Sequence, residues 1–352
     1  MAIAISAAIG NVLNDCLSTA AETGEANAQE RISASMARGE FNTALTGIEN
    51  LPEEGRNSGE MSYRRGYSLL RVNRPHEARL FLEHARARGF GGFPGWETTD
   101  ELLKRVELLE RLYPPHLTTF PELAVYGRRS PWTEPIIAAL PQFVARAKAI
   151  FHAVPEISLC IFPSRRDFDL FHQAMFGMPP AHSWEDGTGN AHIVIFCEEG
   201  KGGGWSREPG TARTTGDVLH EYGHALCNTI FGDNYLSLVP KWLDEGMADA
   251  IAAPYYAECF AYADRLLKDV ALKRKPPGYE MLCKDLYSDA EVGYAFARLM
   301  VQTITRGDAT MIGKIVQQAR YERNFASALY RISGMTGEQA YDYVVRKYWS
   351  RI

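Results

Sequence analysis

The feature that most restricts what this chain can become is a pair of short segments in its second half. HEYGH occupies residues 220–224 and WLDEGMADA occupies residues 242–250. On a helix, His220 and His224 lie one turn apart and project from the same face, so they can share one ion. Glu221 is offset around that helix by one residue, where its carboxylate reaches a water held by such an ion. A spacer of twenty residues separates His224 from Glu245, and Glu245 supplies a third ligand from a second helix. Two histidines and a glutamate, with a fourth position left for water, form the donor set of a catalytic zinc centre.

The flanking residues suit this arrangement. From Thr214 the chain reads TTGDVLHEYGHALCNTI, with Leu219, Leu226 and Ile230 as a buried side and Tyr222 near its edge. Thr214 and Asp217 have the spacing of a capping box. Gly223 and Gly246 each cost about 1 kcal/mol inside a helix relative to alanine. Close backbone approach around the metal accounts for both. Asp249 lies four residues after Glu245 and faces the same interior.

HEYGH and WLDEGMADA together resemble the thermolysin-like gluzincin zinc peptidases of the broad peptidase-MA-like group, over residues 150–352. The resemblance implies that His220, His224 and Glu245 bind Zn2+ and that Glu221 is the general base. It also implies that Asp249 orients the His220 ring from outside the ligand set. The family often supplies an oxyanion donor downstream of the glutamate ligand. Here Tyr294 and Tyr287 are the candidates, with Tyr294 preferred and His192 a third choice, and YAFARLMVQTITRG resembles the helix that follows the ligand. The AHIVIF segment resembles the edge strand that aligns a peptide substrate through backbone hydrogen bonds. The GxMxN motif of the aminopeptidase branch is missing, so an endopeptidase is expected. Two alternatives stay open. One is a catalytically silent zinc-binding scaffold that uses its N-terminal helices for interaction, and the other a gluzincin hydrolase for a non-peptide small molecule.

The expected fold is α+β: a zincin-like metallopeptidase domain with a small mixed sheet and active-site helices, spanning residues 119–352. PEISLCIF and AHIVIFCEE are its strand candidates, and the helices after YAFARLM close it behind Glu245. Residues 1–118 read as mostly helical. MARGEFNTALTGIENL and LRVNRPHEARLFLEHA superimpose with a 34-residue offset, aligning Ala44 with Ala78, Ile48 with Leu82, and Leu51 with Ala85. The second unit resembles a tetratricopeptide repeat through Gly66, Ala78, Leu82 and Ala85, without the usual tryptophan. Two such units are fewer than a free-standing array needs, so a third helix, TTDELLKRVELLERLY, or the following domain is expected to cover them. The proline-bearing stretch at 113–123 reads as the boundary, and MAIAISAAIG as a helix lying on the protein rather than a signal peptide.

Composition narrows the partners. With 38 Lys and Arg against 43 Asp and Glu, there is no basic excess to recommend nucleic acid. No run is apolar and long enough to span a bilayer. Six cysteines are scattered without a CxxC pair, which reads as buried thiols and a cytoplasmic location. The glycine-rich segment at 198–216 lacks a phosphate-binding pattern and reads as a mobile rim beside a pocket. The expected partners are a peptide or protein substrate and a protein on the N-terminal helices.

Overall fold

The computed structural model describes residues 16–176, 180, 187–190, 192–198, 212–255 and 257–350. MAIAISAAIG and most of the glycine-rich segment lie outside the described residues. The chain divides into two units, the first ending at Leu112 and including Ala174–Phe176, the second holding the remainder.

The first unit is helical: α1 (Cys16–Ala37), α2 (Phe41–Glu49), α3 (Glu53–Arg56), α4 (Gly59–Arg71), α5 (Pro75–Ala87) and α6 (Thr99–Leu112). The 34-residue offset recurs in its geometry. It relates the ends of α1 and α4, the starts of α2 and α5, and the left-handed residues Gly39 and Asn73 in the intervening turns. Ala44, Ile48, Ala78, Leu82 and Ala85 are all fully buried. Gly66 permits the tight α4–α5 contact, since a Cβ there would lie 2.6 Å from Leu82 Cγ. Ser58 caps α4 by accepting the Met61 amide at 3.1 Å.

The second unit is built on a five-stranded mixed sheet of β1 (His116–Phe120), β2 (Leu123–Tyr126), β3 (Ile157–Phe162), β4 (Gly187–Asn190) and β5 (Ile193–Cys197). The spatial order is β1-β2-β3-β5-β4. The β2–β3 and β3–β5 pairs are parallel, and the two outer pairs antiparallel. The division between the units falls at the start of the 113–123 stretch, which itself carries β1 and the start of β2. One expectation needs correction: among the described residues, β5 is internal and β4 is the edge strand. All five β5 residues are buried, because both faces of the sheet are covered. One face packs Leu159, Ile161, Val194 and Phe196 into the core shared with the helices. On the other, Phe162 meets Phe171 of α8 (Arg165–Phe176) at 5.0 Å.

The remaining helices are α7 (Thr133–Phe151), α9 (Ala212–Phe231), α10 (Tyr235–Leu238), α11 (Lys241–Ala252), α12 (Ala257–Ala271), α13 (Tyr279–Lys284), α14 (Ala290–Thr305), α15 (Thr310–Glu322), α16 (Phe325–Ser333) and α17 (Gly337–Trp349). α9 begins at Ala212, so Thr214 sits within its first turn rather than at its cap. Val218, Leu219, Tyr222 and Leu226 of α9 enter the core. Tyr222 is fully buried against Phe143, with ring centroids 5.2 Å apart, rather than at the edge of the buried side. Arg146 of α7 reaches the end of α11, donating to the Ile251 and Ala250 carbonyls at 2.9 and 3.1 Å. A guanidinium there suits the carbonyl-bearing, partly negative end of the helix. Phe296 of α14 stacks on Tyr341 of α17 at 5.8 Å, so the C-terminal helix backs the helix behind α11. Of the described cysteines, Cys160, Cys197 and Cys227 are buried free thiols, and Cys283 is half-buried. Among the described residues, no helix is long and apolar enough to cross a membrane.

Candidate metal centre

α9 and α11 cross closely, a glycine of α9 against an alanine of α11. A Cβ on Gly223 would lie 2.9 Å from Ala248 Cα. On the opposite side of α11, a Cβ on Gly246 would collide with the Ala297 carbonyl of α14 and lie 2.5 Å from Val301 Cγ2. The two glycines therefore do what the sequence suggested, letting three helix backbones meet around one point.

That point is where His220, His224 and Glu245 converge. His220 and Glu245 are buried, and His224 leaves 11% of its side chain exposed. The two Nε2 atoms are 3.0 Å apart. Glu245 Oε2 lies 3.1 Å from that of His220 and 3.3 Å from that of His224. Each outer ring nitrogen faces a carboxylate: His220 Nδ1 is 2.8 Å from Asp249 Oδ1, and His224 Nδ1 is 2.9 Å from Asp244 Oδ1. An ionised carboxylate only accepts, so each Nδ1 carries the hydrogen and each Nε2 turns a lone pair inward. Three acceptors then face one another inside the protein, an arrangement that a shared proton or a bound cation relieves. A tetrahedral ion with bonds of about 2.0–2.2 Å separates its ligands by about 3.3–3.6 Å, close to the triangle observed. The donor set and its spacing fit a divalent metal ion.

The electrostatics agree. Glu221, Asp244, Glu245 and Asp249 surround the two imidazoles, and Arg298 donates to Asp249 Oδ2 at 2.5 Å. Burial opposes protonation of His220, but Asp249 and Glu245 outweigh it and push its pKa up to about 10. His224 is raised well above its ordinary value against the same opposition, by Asp244 and Glu245. Burial alone would raise the Glu245 pKa, yet the two imidazoles hold it well below the carboxylate range. Such shifts mark a group of acceptors short of positive charge.

Glu221 points from the same face of α9 without entering the triangle. Its Oε2 accepts the backbone N–H of Gly189 on β4 at 2.8 Å. Burial, reinforced by Glu245, raises its pKa despite the opposing histidines and the Gly189 bond. β4 runs so close to Glu221 that a Cβ on Gly187 would lie 2.7 Å from its Cγ. One on Gly189 would overlap its carbonyl oxygen.

Both candidate tyrosines reach the cluster. Tyr287, in the 3-10 turn Leu286–Asp289, donates its hydroxyl to Glu245 Oε1. The Tyr294 ring lies 6.4 Å from that of His220 and 6.1 Å from that of Tyr287. Burial and the nearby carboxylates raise both phenols, keeping them protonated as donors. His192 is not brought there. It occupies the turn between β4 and β5, where its amide donates to Thr229 Oγ1 at 3.0 Å and its Nδ1 is 3.1 Å from Glu156 O. Thr229 is nine residues along α9 from His220, a rise of about 13 Å.

Sequence reasoning missed Asp244, Arg298, Tyr235 and Gly189. Arg298 left a usable signal, since it stands four residues after Tyr294 and shares its helix face. Asp244 left only its adjacency to Glu245. Tyr235 and Gly189 left none, because their placement depends on how separate elements cross.

No family model matches the chain, and no curated protein or solved structure matches it either, so these comparisons support no particular peptidase family.

Proposed function

We propose that the protein is a zinc-dependent peptidase, acting within chains rather than at their ends. The observation that carries this reading is the inward-facing triangle of His220, His224 and Glu245 with Glu221 held beside it by Gly189. A zinc ion held by the triangle would supply Lewis acidity, activating water and polarising the scissile carbonyl.

The protein's own groups account for the proton movements. Glu221 has one oxygen anchored by the Gly189 amide, which leaves the other to take a proton from the attacking water. The same carboxyl, once it carries that proton, can return it to the departing amine nitrogen. The water adds to the carbonyl carbon, the C–N bond breaks, and the products are a carboxylate and an amine. Tyr294 is the preferred donor to the developing oxyanion, because the Tyr287 hydroxyl is already engaged with Glu245. Among the described residues, β4 stands at the end of the sheet beside β5. An extended peptide added to its other side would be held by backbone bonds whatever its side chains.

The test combines metal analysis with turnover of a diverse peptide library by the purified full chain. Glu221→Gln should retain zinc and lose turnover. Full zinc occupancy without turnover of any peptide or protein substrate would sink the peptidase reading and leave a metal-binding scaffold.

A further inference from the structure

His220 and His224 are supported in different ways. Asp249, behind His220, is shared with the Arg298 guanidinium. Among the described residues, none places a guanidinium or ammonium group on Asp244, behind His224. Its Oδ1 instead receives the Tyr235 hydroxyl at 2.6 Å, on the same oxygen that faces His224 Nδ1. Tyr235 comes from a separate element: α10, which follows the left-handed Asn234. Its ring is fully buried, 5.7 Å from Phe231 and 5.8 Å from Phe325. Packing therefore fixes the phenol, the phenol fixes the carboxylate, and the carboxylate fixes the imidazole. A carboxylate bonded to a neutral hydroxyl keeps more of its charge than one paired with a guanidinium.

We infer that Asp244 and Tyr235 are positioning residues for His224, making it the more strongly donating imidazole of the centre and governing how firmly the ion is held. The inference rests on the metal-centre reading above. Outer partners of ligating histidines fix the ring and its tautomer and raise its basicity. Here that partner is itself braced from another helix, so the brace acts on the metal through two hydrogen bonds.

The experiment uses the full chain with Asp244→Asn, Tyr235→Phe and the double variant. Zinc affinity is measured by competition with a chromophoric chelator, the visible spectrum is recorded after cobalt substitution, and the metal-free proteins are melted. Asp244→Asn keeps the shape and an acceptor oxygen but removes the charge, and should weaken zinc by about 10–100-fold and shift the cobalt bands. Tyr235→Phe should change both in the same direction and by less. The double variant should be no weaker than Asp244→Asn alone, because the tyrosine acts through the carboxylate. Unchanged affinity and cobalt bands in Asp244→Asn would overturn the inference, even with lowered melting of the metal-free protein. Additive losses in the double variant would overturn it too. Failure of the metal-centre reading looks different: wild type would then bind zinc no better than His220→Ala.

Discussion

Gly246 of α11 and Ala297 of α14 pack backbone to backbone, with the Ala297 carbonyl where a Cβ on residue 246 would sit. Helix propensity alone favours alanine at such a site by about 1 kcal/mol. The collision wins, because the obstacle is main chain and cannot rotate away. Gly246→Ala should destabilise the protein by about 1–3 kcal/mol, or about 2–4 °C of Tm per kcal/mol for a domain of this size. Gly91→Ala, where nothing lies within 4 Å, is the control and should melt close to wild type. Equal melting of the two variants would show that the helices can part without cost.

Asp249 is expected to matter for metal rather than for chemistry. Its two oxygens are taken by His220 and Arg298. Asp249→Ala should weaken zinc retention by about 10–100-fold, read by equilibrium dialysis. It also removes the carboxylate that Arg298 pairs with, so Tm should fall in the metal-free protein. Retention equal to wild type would make the aspartate purely structural.

The two tyrosines separate by kinetics. Tyr294→Phe should lower kcat by about 10²–10³-fold with zinc content unchanged, as for a lost oxyanion donor. Tyr287→Phe removes the hydrogen bond to Glu245 Oε1 and should chiefly weaken zinc binding. The reverse pattern would exchange their roles.

A pH effect is expected away from the centre. Hydrogen bonds from Lys268 and Tyr348 hold the Asp264 carboxyl well below its ordinary value of 3.8. Its folded pKa is depressed, so its contribution to stability is present above the ordinary value and fades as pH falls below it. Asp264→Asn should therefore melt lower than wild type at neutral pH, with the gap narrowing below about pH 4. The carboxylate is partly exposed, which keeps the effect small and salt-sensitive. A gap that widens in acid would contradict the assignment.

The triangle of His220, His224 and Glu245 was legible because it follows from a four-residue spacing on one helix and a glutamate on a later one. Gly223 and Gly246 were legible too, as residues that a helix tolerates only when something presses against it. The sheet was read less well. HLTTF is short, polar and bounded by prolines, so β1 passed for a connector. GTGN shows no apolar alternation, and β4 escaped notice because it lacks the side chains that usually mark a strand. AHIVIF was easy to see for the opposite reason, but it was read as an edge strand although its density of apolar residues suits an interior one. Asp244 and Arg298 depend on the angle at which helices cross, which spacing along one chain does not encode.

The bond between the Gly189 amide and Glu221 places a side chain in mechanical series with a strand. β4 has no side chain at residues 187 and 189 to cushion its approach to α9. A shift of the strand is therefore passed to the carboxylate undamped. In the proposed mechanism, a peptide lying along β4 would therefore also set the orientation of Glu221, and occupancy of the strand and readiness of the base would become a single variable.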